Sequence, residues 1–150
     1  IKSRCCIYTL APVSQEECER EVLRLVPHAQ EVPALCRAFG GRIGSVVRVL
    51  TDESQQKILE TARHMMRAAA ENREYSLLAA AAAYEKDRPA AQRLCAVLAQ
   101  LCAAELFSGE TLAPGMAARM VKACGEAHRQ LSANVNAKAV WSVFAAAVCA

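Results

Sequence analysis

An arginine set between a serine and a cysteine, Ser3-Arg4-Cys5, is the stretch of this 150-residue chain with the clearest chemical potential. A guanidinium is planar, permanently charged and carries five N–H donors. At a rigid strand end it can present that fork to a phosphate on a neighbouring subunit and offset charge in phosphoryl transfer. The bland alternative is a solvated surface side chain, and the pattern alone leaves both open. Elsewhere the residue types that do chemistry are present without partners at useful spacing. His28, His64 and His128 belong to no cluster of acidic or cysteine residues with metal-site or catalytic spacing. Gly40-Gly41-Arg42-Ile43-Gly44 lacks the Lys-Ser/Thr of a phosphate loop and follows no strand, so it reads as a helix C-cap and a tight turn into the next helix. No nucleophile–base pair can be drawn, which argues against an enzyme contained within these residues.

Eight cysteines could mean disulfides, a metal site or small buried hydrophobes. Cys5 and Cys6 are adjacent and the other six stand alone, so there is no Cys-x-x-Cys pair or Cys/His cluster with zinc spacing. Most lie among Ala, Leu and Val, as Cys95 and Cys102 do. Buried free thiols in a reducing cytoplasm are therefore the expectation, with no metal and no cofactor held by this chain.

The elements that would position Arg4 come next. Cys6-Ile7-Tyr8 is strand-like with no strand nearby to pair with, and an isolated strand is unstable in water. Residues 1–12 are accordingly expected to be the remnant of a larger α/β domain. Ser14 with Glu17 three residues on forms a capping box for a helix to about Val26. Pro33 suits the first turn of a second helix running through Leu35 and Phe39 to Gly40-Gly41. Ile43, Val46, Val47 and Leu50 are spaced for a third. Thr51-Asp52-Glu53 then offers a cap and an acidic first turn for a long helix over about 53–72 that ends at Asn72, Glu74 to Lys86 reads as an alanine-rich helix, Asp87 caps one to about Phe107, Pro114 opens one to Leu131, and Asn134-Val135-Asn136 is a turn whose amides can cap the last, from Ala137 to about Cys149. The alanines at 79–83 predict burial in the middle of a bundle.

The fold class predicted is all-α, since alanine dominates an apolar fraction of 54% and aromatics are only 5%. The net charge of +3 is too balanced for a protein that coats phosphate backbones. Its excess sits at the ends: residues 111–150 hold four basic side chains (Arg119, Lys122, Arg129, Lys138) and one acidic, Glu126. A membrane span needs about 20 apolar residues. The longest uncharged stretches, Leu94 to Ala104 and Ala139 to Ala150, fall short.

Taken in order, Ser3-Arg4-Cys5, the Leu10-Ala11-Pro12-Val13-Ser14 start of a helix, Gly41-x-x-Gly44 leading to Val46-Val47-x-x-Leu50, and Leu131-x-x-Asn134-Val135-Asn136 before an apolar last helix resemble the bacterial clamp-loader subunits of DNA polymerase III over the whole chain. The resemblance implies the end of an AAA+ domain at 1–12, a three-helix lid at 13–51 and a five-helix collar at 52–150. It implies membership of a cytoplasmic hetero-pentamer with ATPase-type and delta-type subunits, serving the sliding clamp and primer-template DNA indirectly. In the ATPase (gamma or tau) subunit a lid arginine senses nucleotide three residues after the turn glycine. That position here is Gly44, so the chain looks like the delta-prime subunit, which does not hydrolyse ATP. Arg4, with Ser3 and Cys5 as its motif, would then be an arginine finger acting in trans on ATP and magnesium held by the adjacent subunit. Tyr84, Trp141 and Phe144 are candidate anchors at a subunit contact, with core burial as the alternative. Two other readings are a stand-alone helical adaptor, in which Arg4 is incidental, and a helical DNA-binding module. The second lacks a clustered basic recognition helix.

Overall fold

A computed structural model describes residues 11–150; Ser3-Arg4-Cys5 and the extended segment expected at Cys6-Ile7-Tyr8 lie outside the described residues. Among the described residues the chain is all-α, with no strand and eight helices: α1 (Gln15–Leu25), α2 (Val32–Ala38), α3 (Ile43–Thr51), α4 (Glu53–Ala70), α5 (Glu74–Ala82), α6 (Arg88–Ser108), α7 (Pro114–Ser132) and α8 (Ala137–Cys149). They fall into two compact units, the first ending at Val47 inside α3 and the second being Arg48–Ala150.

In the first unit α1 begins on the capping box read from the sequence. The Ser14 amide donates to Glu17 Oε2 at 3.2 Å, and the Glu17 amide donates back to Ser14 Oγ at 3.3 Å. Cys18 and Val22, one turn apart, are the buried stripe of α1; Val32, Leu35 and Cys36 are that of α2, which packs against it. The end of α2 closes through Gly40 and Gly41, both left-handed at φ 58° and 71°, with the Gly41 amide donating to the Cys36 carbonyl at 3.1 Å. At Gly41 there is no room for a side chain: a Cβ there would collide with the backbone carbonyl of Val13.

The second unit is an up-and-down bundle. Asp52, Asp87 and Asn136 each accept backbone amides as N-caps of α4, α6 and α8. Asn72 and Asn134, at φ 52° and 61°, close α4 and α7 in left-handed turns, a conformation asparagine adopts more readily than most residues. Packing follows a closed cycle: α4 touches α5 and α6, α5 touches α8, α8 touches α7 and α7 touches α6. Contacts between helix ends, Tyr84 with Lys57, Arg88 with Leu131 and Arg119 with Val148, set α4–α5, α6–α7 and α7–α8 antiparallel, and a cycle of five alternating helices leaves one pair, α4 and α6, parallel. Leu94 and Leu98 of α6, Met120 and Leu131 of α7, Met65 of α4 and Leu77 of α5 are completely buried.

The alanine run departs from expectation. α5 stops at Ala82 rather than Lys86, and only Leu77 and Ala81, four residues apart, face inward, while Ala79, Ala82 and Ala83 are exposed. Alanine favours a helix without favouring either side of it, because its methyl adds little to the burial term. Helix α6 differs in the other direction. Its 21 residues are long and apolar enough to cross a membrane by composition, with Arg88, Arg93 and Glu105 its only charges, yet half of that stretch is buried inside the bundle.

The caps carry a pH dependence. Glu17 is held below the usual carboxylate range by the Ser14 hydroxyl and amide, and Asp52 by the Ser54 hydroxyl and the amides it caps. A depressed folded-state pKa contributes stability present above the unfolded value and lost as pH falls through the folded one. The first turns of α1 and α4 will therefore loosen as pH drops below the ordinary values of 4.5 and 3.8. Asp52→Asn, which still caps without titrating, will flatten the acid response of α4 in hydrogen exchange followed against pH.

Candidate functional site

Among the described residues, those singled out by sequence do not come together as a reactive centre, and Ser3, Arg4 and Cys5 lie outside the described residues. Tyr84 is half-buried and its hydroxyl is engaged within the bundle, 3.0 Å from Thr61 Oγ1, pinning the turn after α5 onto α4. Trp141 and Phe144 are 1% and 2% exposed and meet edge to face, with ring centroids 5.8 Å apart. Their rings thus belong to the interior of the chain. Trp141 Nε1 is buried with no hydrogen-bond partner. Gly44 is exposed in the first turn of α3, with open space where a side chain would stand.

Of the cysteines described, Cys18, Cys36, Cys95, Cys102 and Cys124 are buried free thiols and Cys149 is half-buried. Burial pushes the Cys95 and Cys102 thiols up to about 12, Cys36 likewise with Cys18 hydrogen-bonded beside it, and Cys124 higher still. Thiols held protonated in this way are poor nucleophiles and poor ligands. No group of three or more His, Cys, Asp or Glu side chains suited to a metal occurs among the described residues. A thiol reagent at neutral pH will modify Cys149 well before the five buried thiols, as peptide mass spectrometry will show; prompt labelling of Cys95 or Cys124 would mean that the α6–α7 core opens.

What the fold does build is a groove of about 250 Å³ between α7 and α8. From α7 come Ala123 and Ala127 on the floor, with Arg119, Lys122, Glu126 and Gln130 along the rim. From α8 come Val140 and Phe144 on the floor, with Val143 and Ala147 along the wall. The depression exists because alanines at 123 and 127 face larger side chains four residues apart on α8. Arg119 is anchored at one end, donating to the Val148 and Ala150 carbonyls at 3.2 and 2.8 Å, where a cation suits the negative pole of α8. Glu126 is tied down by Arg129 and Gln130 at 2.6 and 2.7 Å, and Arg129 holds its carboxyl below the usual range. Val143 is 55% exposed, a large apolar side chain standing at the groove's edge.

Sequence reasoning noted Arg119 and Lys122 in the basic C-terminal stretch without joining them to an apolar surface. Each helix carries an unremarkable apolar stripe, and only the pairing of α7 with α8 makes the groove. Comparison with protein-family models, with curated protein sequences and with solved structures finds no match.

Proposed function

We propose that this chain is the lid and collar of a bacterial clamp-loader subunit of the delta-prime type, a cytoplasmic, non-hydrolysing scaffold of the DNA polymerase III ring that lends Arg4 to the ATP site of an adjacent subunit. The observation that carries the reading is the order of parts along the chain. Ser3-Arg4-Cys5 comes first. A small helical unit follows whose third helix opens on Gly44, where an ATPase subunit of the family would have its nucleotide-sensing arginine. A larger helical bundle comes last. Glycine has no side chain with which to reach phosphate, which supports a subunit that holds rather than hydrolyses. ATP and magnesium belong to the neighbour in this scheme, and the sliding clamp and primer-template DNA are engaged through the assembled ring. Compatible with the scaffold role, the second unit carries an apolar groove between α7 and α8 with an exposed valine at its edge.

The test is assembly. Mixed with ATPase-type and delta-type clamp-loader subunits, the full-length protein is expected to enter a five-subunit complex visible by native mass spectrometry. A protein that stays outside every such complex removes the reading.

A further inference from the structure

We infer that the α7–α8 groove receives a single amphipathic helix from another protein, one whose apolar seam is flanked by acidic residues. The inference rests on the scaffold reading above and names the chemistry of the partner. Length and shape argue for a helix. Arg119 and Gln130 are eleven residues apart on α7, about 16 Å or three turns at the helical rise of about 1.5 Å per residue. The floor is apolar along this length, and the volume of about 250 Å³ lies below the range of roughly 300–1,000 Å³ typical of small-molecule pockets. It suits the ends of a few aliphatic side chains presented at i, i+4 and i+7, as in helix-in-groove recognition.

Charge selects the flank. Residues 111–150 hold four basic side chains and one acidic, and that one, Glu126, is already engaged by Arg129 and Gln130. Arg119 is held at the end of α8 by the Val148 and Ala150 carbonyls, so the cation the rim presents uncompensated is Lys122, which has no ion-pair partner among the described residues. A second copy of this chain fits poorly, since face-to-face pairing would set this cation against its own kind. Nucleic acid fits poorly too, because an apolar floor offers no donors to phosphate.

The experiment uses the full chain and its single tryptophan, Trp141, whose ring contacts Phe144 on the groove floor and so reports occupancy by fluorescence. The probes are two tryptophan-free helical peptides of about four turns, long enough to span the groove. Both have leucines at i, i+4, i+7 and i+11; one is flanked by glutamates and the other by lysines. The glutamate peptide is expected to bind about fivefold more tightly, as one exposed ion pair with Lys122 would give. Lys122→Glu will shrink or invert that preference, and Val143→Glu, at an exposed position that leaves the core alone, will weaken binding about tenfold or more.

Equal binding of the two peptides, no binding, or indifference to Val143→Glu overturns the inference. So does self-association abolished by Val143→Glu, which assigns the groove to a second copy, or competition by duplex DNA, which assigns it to nucleic acid. Ring assembly is scored separately. A protein that takes the glutamate peptide but joins no ring keeps the groove and loses the clamp-loader reading, and one that joins the ring with an unresponsive groove does the reverse.

Discussion

Under the proposed trans role, Arg4→Ala in the full-length protein is expected to lower DNA-stimulated ATP turnover by the assembled ring by about 10³-fold while leaving the ring intact. The magnitude comes from the chemistry of the transferring phosphoryl group, which gathers negative charge that a correctly placed guanidinium stabilises; trans arginines of this kind contribute roughly 10³ to 10⁵ in rate. At about 1.4 kcal/mol per tenfold, that is about 4 kcal/mol or more of transition-state stabilisation. Arg4→Lys separates charge from geometry. It keeps the cation but loses the planar fork, so turnover should recover only in small part. Assembly is expected to survive both changes, because in this proposal the ring is held by the helical bundle rather than by Arg4. Turnover and native mass are the two measurements. Unchanged turnover in an intact ring would exclude the trans role and leave Arg4 as a surface charge.

Gly41→Ala should be the most damaging single methyl that can be added to the first unit. Its φ of 71° costs an L-residue about 1–2 kcal/mol, and the new Cβ would press on the Val13 carbonyl, a backbone atom that cannot swing aside as a side-chain tip can. Together these give a loss of about 3 kcal/mol. The neighbouring glycines are built-in controls. Gly40 shares the left-handed backbone, at φ 58°, but has open space around it, so Gly40→Ala pays the backbone cost alone, about 1–2 kcal/mol. Gly44 has neither constraint, and Gly44→Ala, within α3, should stabilise by up to about 1 kcal/mol. Hydrogen exchange resolved to α1 and α2 will rank the three. An equal response at Gly40 and Gly41 would show that the contact with Val13 does not matter.

The features read correctly from sequence are those decided within a few residues. The capping box at Ser14, the cap at Asp87, and the caps read within Thr51-Asp52-Glu53 and Asn134-Val135-Asn136 all depend on a side chain and amides two or three positions away, so a linear reading suffices. The alanine run was legible as helix but not as to which face is buried, since nothing local distinguishes exposed Ala79 from buried Ala81. Trp141 and Phe144 pose the same difficulty at larger size. Their spacing on α8 is equally suited to a core and to a contact, and only packing against the rest of the bundle puts both rings inside. The groove was illegible for a third reason. Its two walls come from separate helices, and it is the mismatch between small residues on one and larger ones on the other that opens it.

The cycle of five helices with its one parallel pair has a directional consequence. An even number of antiparallel passes would return the chain to the pole where it began, whereas five passes hand it from one pole to the opposite one. The start of α4 and the end of α8 therefore lie at opposite poles of the bundle. In the scaffold role proposed above, the bundle would serve as a spacer that sets how far apart two neighbours stand.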